Sequence, residues 1–134
     1  MLSFKKRLKK YFNKKRLKNS ALLCNPQAKG IVKFTKIVTP RKPNSARRSV
    51  AKISLINGYY VEGYIPGIGH NLRKHSLILL KGKGCRDLPG VRYKCIRGVL
   101  DLNGVVDRLN RRSVYGISLP ESLKKKIRRK FRQV

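Results

Sequence analysis

The sequence predicts an all-β fold, a small barrel or sandwich of about five short strands with a basic segment at each end. Three observations carry this. Apolar and polar residues alternate in short runs, Gly, Pro and Asn punctuate the runs, and no long helical pattern interrupts the strand set. The length of 134 residues is that of one domain. Charge dominates the composition: 35 Lys and Arg stand against 5 Asp and Glu, for a net charge of +30. Self-repulsion on that scale disfavours a compact isolated state, so a polyanion is expected to offset it, and nucleic acid is the polyanion expected. No apolar run approaches the roughly 18 residues of a spanning helix, so no membrane partner is expected.

Met1 to Lys18 places Phe4, Leu8, Tyr11 and Phe12 at helical spacing among lysines and arginines. This reads as a basic helix, an RNA-binding arm, with a targeting presequence as the alternative. NSALLCNPQAKG, Asn19 to Gly30, punctuated by Pro26 and Gly30, reads as an extended connector. IVKFTKIVT then alternates Val32, Phe34 and, after a break, Ile37 with Lys33 and Lys36, a half-buried strand with a cationic outer side. In SVAKISLINGYYVEGYIPG, Ala51, Ile53 and Leu55 share one face. Asn57-Gly58 there predicts a two-residue type I′ hairpin turn, followed by a second arm from Tyr59 to Ile65. Ser76 to Leu80 and Tyr93 to Val99 read as further short strands, the latter with Tyr93, Cys95 and Arg97 on one side. Leu119, Leu123, Ile127 and Phe131 recur every four residues, with Glu121 early and cations late, as in a basic amphipathic helix. The expected organisation is an arm and connector over 1–30, a barrel over 31–116 and a helix over 117–134. An oligonucleotide-binding barrel is a natural member of this fold class.

Two loops are chemically dense. TPRKPNSARR, Thr39 to Arg48, packs two prolines, Asn44, Ser45 and four basic residues ahead of a strand. Proline stiffens it, and the short polar groups bond within turns, which makes a rigid cationic loop with a polar tip. KGKGCRDLPGVRY, Lys81 to Tyr93, holds three glycines, a proline, basic groups and Asp87. A third loop, PGIGHNLRKH, carries glycines without the context of a nucleotide-binding motif.

Cys24, Cys85 and Cys95 form no paired motif, and His70 and His75 have no neighbouring carboxylate, so neither a metal nor a disulfide framework is expected. The acids Glu62, Asp87, Asp101, Asp107 and Glu121 are scattered, which argues against an enzyme and against any cofactor.

TPRKPNSA, NGYYVEGYIPGIGHNL with HSLILL, RDLPGVRY with IRGVLD, and SVYG resemble, in order and spacing, the family of small ribosomal subunit protein twelve, the decoding-centre protein of the ribosome. The resemblance runs from about Ala21 to Gly116. It implies an oligonucleotide-binding barrel that is a structural part of the small subunit and supports accurate codon–anticodon recognition. On the matching positions, Pro43, Asn44 and Ser45 would approach the codon–anticodon minor groove, and Lys42 would hold nearby phosphates. Arg86, Asp87, Pro89 and Gly90 would form the second loop against the same RNA. His70, Asn71 and His75 would lie on the loop turned toward tRNA bound to an elongation factor. The implied partners are small-subunit rRNA, the mRNA–tRNA duplex at the aminoacyl site, factor-bound tRNA and neighbouring ribosomal proteins. The unmatched ends imply a mitochondrial ribosome, with a bacterial cytoplasm or a plastid as alternatives.

Overall fold

The computed structural model describes residues 20–23, 25–121 and 124. Five strands are present: β1 (Gln27–Val38), β2 (Arg48–Leu55), β3 (Tyr60–Tyr64), β4 (Leu77–Lys81) and β5 (Tyr93–Cys95). They close into a barrel in the order β1-β2-β3-β5-β4. Every pairing is antiparallel except β3 with β5. Closure satisfies both edges of every strand, which short strands around a modest core need. β1 is long because it serves two neighbours: Gln27 to Ile31 pair with β4, and Gly30 to Val38 pair with β2. β5 is the shortest strand, held by two residue pairs to β3 and two to β4.

The alternation read from the sequence is the alternation of burial. Ala51, Ile53 and Leu55 point inward from β2 and meet Val32, Val61, Ile78, Leu80, Tyr93 and Cys95. Ala21 and Leu22, on a 3-10 turn at Ser20–Leu22, join this core, as do Leu72 and Leu102 from loops. Burial pushes the Cys95 thiol up to about 12, so it is held as an unreactive apolar group. Among the described residues no helix is long and apolar enough to cross a membrane.

Three expectations are corrected. The connector is not extended throughout: Ser20–Leu22 turns to place Leu22 in the core, and strand begins at Gln27. The β2–β3 turn is not a two-residue type I′. Gly58 N donates to Leu55 O at 3.1 Å and Leu55 N to Tyr59 O at 2.9 Å, so the loop is Ile56–Asn57–Gly58, with positive φ only at Gly58. This is the three-residue hairpin in which the glycine takes the left-handed position. The asparagine side chain is thereby released to bond elsewhere. Its Nδ2 donates to Ala21 O at 2.8 Å and ties the N-terminal turn to the hairpin.

The third correction concerns β1. The β1–β2 register shifts between Val32 and Phe34, as a bulge does, and the alternation changes side there. Phe34 is therefore 49% exposed and Ile37 68% exposed. Phe34 lies on the outer surface with the Lys52 Nζ 5.7 Å from its ring centroid, beside an ion pair of Lys36 with Glu62. Phe34→Thr is accordingly expected to change stability by no more than about 0.5 kcal/mol, where a core phenylalanine would cost several. Urea unfolding of the full chain in screening salt reads this, and a large loss would place Phe34 in the core after all.

The helix expected over 1–18 and Cys24 lie outside the described residues. The C-terminal helix expected over 117–134 does not begin at 117: residues 117–120 are not helical, and helix starts at Glu121, where Lys124 N donates to Pro120 O at 3.1 Å; residues 122, 123 and 125–134 lie outside the described residues.

Candidate RNA interface

Both chemically dense segments are connections of the barrel. Thr39 to Arg47 joins β1 to β2, and residues 82–92 join β4 to β5. These are the loops through which oligonucleotide-binding barrels engage their ligands. Arg41 N donates to Asp87 O at 3.1 Å, and Arg48 Nη2 donates to Asp87 Oδ2 at 2.5 Å. A single residue of the second loop is thus held by the backbone of the first and by the side chain that opens β2. The Arg48 guanidinium also lies 6.0 Å from the Tyr64 centroid, and Lys94 Nζ lies 5.6 Å from the same ring.

Beneath this polar link, Val50, Leu88 and Val91 form a second small core, with Val38, Tyr64 and Cys85 against it. Val50 faces away from the barrel interior and would be wet without the loop over it. Gly84 lets that loop fold back on itself: a Cβ there would stand 2.2 Å from Val91 O and 2.9 Å from Arg92 Cα. The first loop turns at its tip, where Asn44 N donates to Arg41 O at 3.1 Å around a cis Lys42–Pro43 peptide.

Lys42, Pro43, Asn44 and Ser45 are exposed, as are Arg86, Pro89 and Gly90. Asp87 differs from them, since its half-buried carboxylate is engaged by Arg48 and works as a brace between the loops. Arg48 and Tyr64 are the residues that sequence reasoning missed. Arg48 lies within the basic stretch, but nothing local marks it off from Arg47, which is exposed. With both partners about a quarter exposed, their coupling is modest. A double-mutant cycle of Arg48→Met and Asp87→Asn is expected to return about 0.5–1 kcal/mol in urea unfolding. Zero coupling would show that the loops are held by the Arg41–Asp87 backbone bond and by Leu88 and Val91, without the ion pair.

The third loop connects β3 to β4. Buried Arg97 organises it: Nε donates to Pro66 O at 2.8 Å, Nη1 to Asn103 O at 3.2 Å, and Nη2 to Gly69 O. Burial lowers the Arg97 pKa from its ordinary value, with Cys95 and Tyr64 opposing. Asn71 is used internally, donating to Asp101 O at 2.7 Å and accepting from Asn103 N at 3.1 Å. His70 is exposed beside this network, and its pKa is lowered by partial burial and then by Arg97. His75 is exposed with φ 70°, its N–H donating to Val32 O at 2.8 Å. The structure therefore separates this loop's members: Asn71 holds the fold, and the two imidazoles are presented. Among the described residues no three His, Cys, Asp or Glu side chains gather as metal ligands would.

A closed barrel in the strand order β1-β2-β3-β5-β4, with its β1–β2 and β4–β5 loops fused into one basic, polar surface, defines an all-β barrel of the oligonucleotide-binding class. Residues 15–131 match the family model described as Ribosomal protein S12/S23, and the chain belongs to that family. It is 58% identical over 127 residues to the small ribosomal subunit protein uS12m of Paramecium tetraurelia, an alignment covering 95% of this chain and 91% of that protein. As a ribosomal protein, it is a structural component and not an enzyme.

Proposed function

We propose that this protein is a structural constituent of the small subunit of the mitochondrial ribosome, binding small-subunit rRNA at the decoding centre and supporting accurate codon–anticodon recognition. Its similarity to a small-subunit relative whose name marks it as mitochondrial supports the location. One observation supports the site: Asp87 is bound by Arg41 and Arg48, which makes one rigid surface from two exposed loops. Lys42 anchors phosphate, while Pro43, Asn44 and Ser45 approach the mRNA–tRNA duplex at the aminoacyl site. An A-form minor groove is wide and shallow and displays hydroxyls, so a short polar tip held at fixed height tests its shape. Arg86, Pro89 and Gly90 brace the same RNA from the second loop, with Asp87 setting their position.

The loop bearing His70, Asn71 and His75 faces factor-bound tRNA, with Asn71 acting through the loop's fold. The basic ends of the chain, outside the core that takes in Ala21 and Leu22, contact rRNA, whose phosphates offset their charge, and neighbouring proteins.

Lys42→Ala and Ser45→Ala are expected to change the misreading frequency about fivefold, the ratio given by about 1 kcal/mol of altered discrimination. Both variants should still sediment with small subunits. Reporter misreading in translating mitochondria measures the effect, and normal accuracy in both would refute the assignment of the first loop.

A further inference from the structure

One row of residues crosses the outer wall of the barrel. Gln27 of β1 pairs with Lys81 of β4, Lys81 with Lys94 of β5, and Lys94 with Tyr64 of β3. Their neighbours along the strands, Ala28, Leu80, Tyr93 and Cys95, pack in the core, so the row itself faces outward. Lys83 follows at the root of the β4–β5 loop, where its N–H donates to Lys81 O at 3.0 Å. An amide and three ammonium groups are thereby brought to one side of one loop's root.

Two lysines directly opposite each other on neighbouring strands repel, and the other face of the sheet avoids this. On the β2–β3 pair Lys52 stands opposite Glu62, which also bonds Lys36. The β4–β5 pair has no such acid. Among the described residues the ion pairs are Lys36 with Glu62, Arg48 with Asp87 and Lys124 with Glu121, and none includes Lys81, Lys83 or Lys94. The loop's own acid, Asp87, is thus taken. Lys81 and Lys94 are moreover half-buried. Burial lowers the Lys94 pKa from its ordinary value, and Lys81 and Lys83 lower it further against an opposing Cys85. Partly desolvated ammonium groups held together without a counter-charge cost the free chain stability, which an anion supplied from outside recovers.

The chemistry of the row favours phosphate. Ammonium groups are point charges on flexible stems that can converge on one tetrahedral anion, whereas carboxylates are matched by the planar fork of arginine, absent from this row. The Gln27 amide adds a donor for a further phosphate oxygen or a ribose hydroxyl. Both ends of the row's loop lead to the tip, Arg86 to Gly90, that is proposed to brace rRNA, and this continuity favours RNA over an acidic protein.

We propose that Gln27, Lys81, Lys83 and Lys94 form a phosphate site on the outer wall of the barrel, holding the sugar–phosphate backbone of small-subunit rRNA at the root of the β4–β5 loop. The proposal rests on the ribosomal reading above and adds a contact that neither loop tip makes. A phosphate shared by Lys81 and Lys94 also bridges one of the two residue pairs that join β4 to β5.

The test isolates intact small subunits from mitochondria expressing the full chain as wild type, Lys81→Gln, Lys83→Gln or Lys94→Gln, and uses ethylnitrosourea to report which rRNA phosphates are covered. The same one or two phosphates, protected by the wild-type chain, are expected to gain reactivity about fivefold in each of the three variants. They should stay protected with Lys52→Gln, whose lysine faces Glu62. In the free chain at low salt, Lys81→Gln should raise the urea midpoint by about 0.2 M, because repulsion across the strand pair is relieved, and the gain should vanish in screening salt. Protection unchanged in any of the three variants, exposure of unrelated phosphates by each, or a midpoint not raised in Lys81→Gln would overturn the proposal. So would a carbodiimide crosslink from Lys94 to a carboxylate of another protein in the wild-type subunit. All three variants should co-migrate with small subunits, since one phosphate is a small share of the interface; a variant lost from the subunit would make its lysine an assembly residue and also count against the site. Sedimentation of the wild-type chain reads the ribosomal assignment separately: its absence from small subunits defeats both readings, and co-migration with protection unchanged in the variants defeats only the phosphate site.

Discussion

Replacing Arg97 by Met is expected to destabilise the full chain by about 3–5 kcal/mol, the upper range for a single substitution. The guanidinium is buried and serves Pro66, Gly69 and Asn103 at once. Methionine fills much of the volume but donates nothing, so three carbonyls lose a charged partner where little water can replace it. In salt sufficient to screen the chain's self-repulsion, the urea midpoint should fall by about 2 M for a slope of about 2 kcal/mol per molar. Arg97→Lys should recover only part of this, because an ammonium cannot reproduce a planar fork aimed at three separate oxygens. A midpoint unchanged in Arg97→Met would mean that the β3–β4 loop and the chain at Asn103 are held by other contacts.

The second large effect is expected at Gly84. Gly84→Ala puts a methyl group within 2.2 Å of Val91 O, a backbone atom that cannot rotate away. The loop must open, and Leu88 and Val91 must lift from Val50. A loss of about 2–3 kcal/mol is expected, in the range of forced overpacking. Because the same movement carries Asp87 off Arg41 and Arg48, misreading should rise as well. That separates Gly84→Ala from a core truncation of equal cost, which would lower the amount of assembled subunit without a matching error phenotype. Wild-type stability in Gly84→Ala would show that the loop is not pinned where the structure has it.

Local pattern made much of the fold legible. Ala51, Ile53 and Leu55 were readable as an inward face because a strand's period admits one answer once a side is apolar, and Tyr93 and Cys95 share a side for the same reason, but the strand expected to reach Val99 stops at Cys95, and Arg97 is buried from beyond its end. The two loops were readable because proline, glycine and short polar residues concentrate where the chain turns. The bulge after Val32 was not: Val32, Phe34 and Ile37 look alike in sequence, and only the pairing with β2 decides which is covered. Asn57-Gly58 marked a turn correctly, yet the turn's length depends on whether Ile56 pairs across the hairpin. The ion pair of Arg48 with Asp87 spans 39 positions, and among 35 basic residues no local feature chooses one partner. The motifs located the exposed tips; how Asp87 and Asn71 are occupied is decided by tertiary packing.

β5 is three residues long, joined by two pairs on either side, and the loop bearing Asp87 runs directly into it. A cylinder zipped shut along so short a seam breathes there first, since few bonds must part together to open it. The loop proposed to brace the rRNA beside the first loop is therefore mounted on the most yielding stave of the barrel. Its steadiness comes from outside that stave, through the clasp of Arg41 and Arg48 and the grip of Leu88 and Val91 on Val50, and slackening either one would let thermal opening of the seam travel out to the loop's tip.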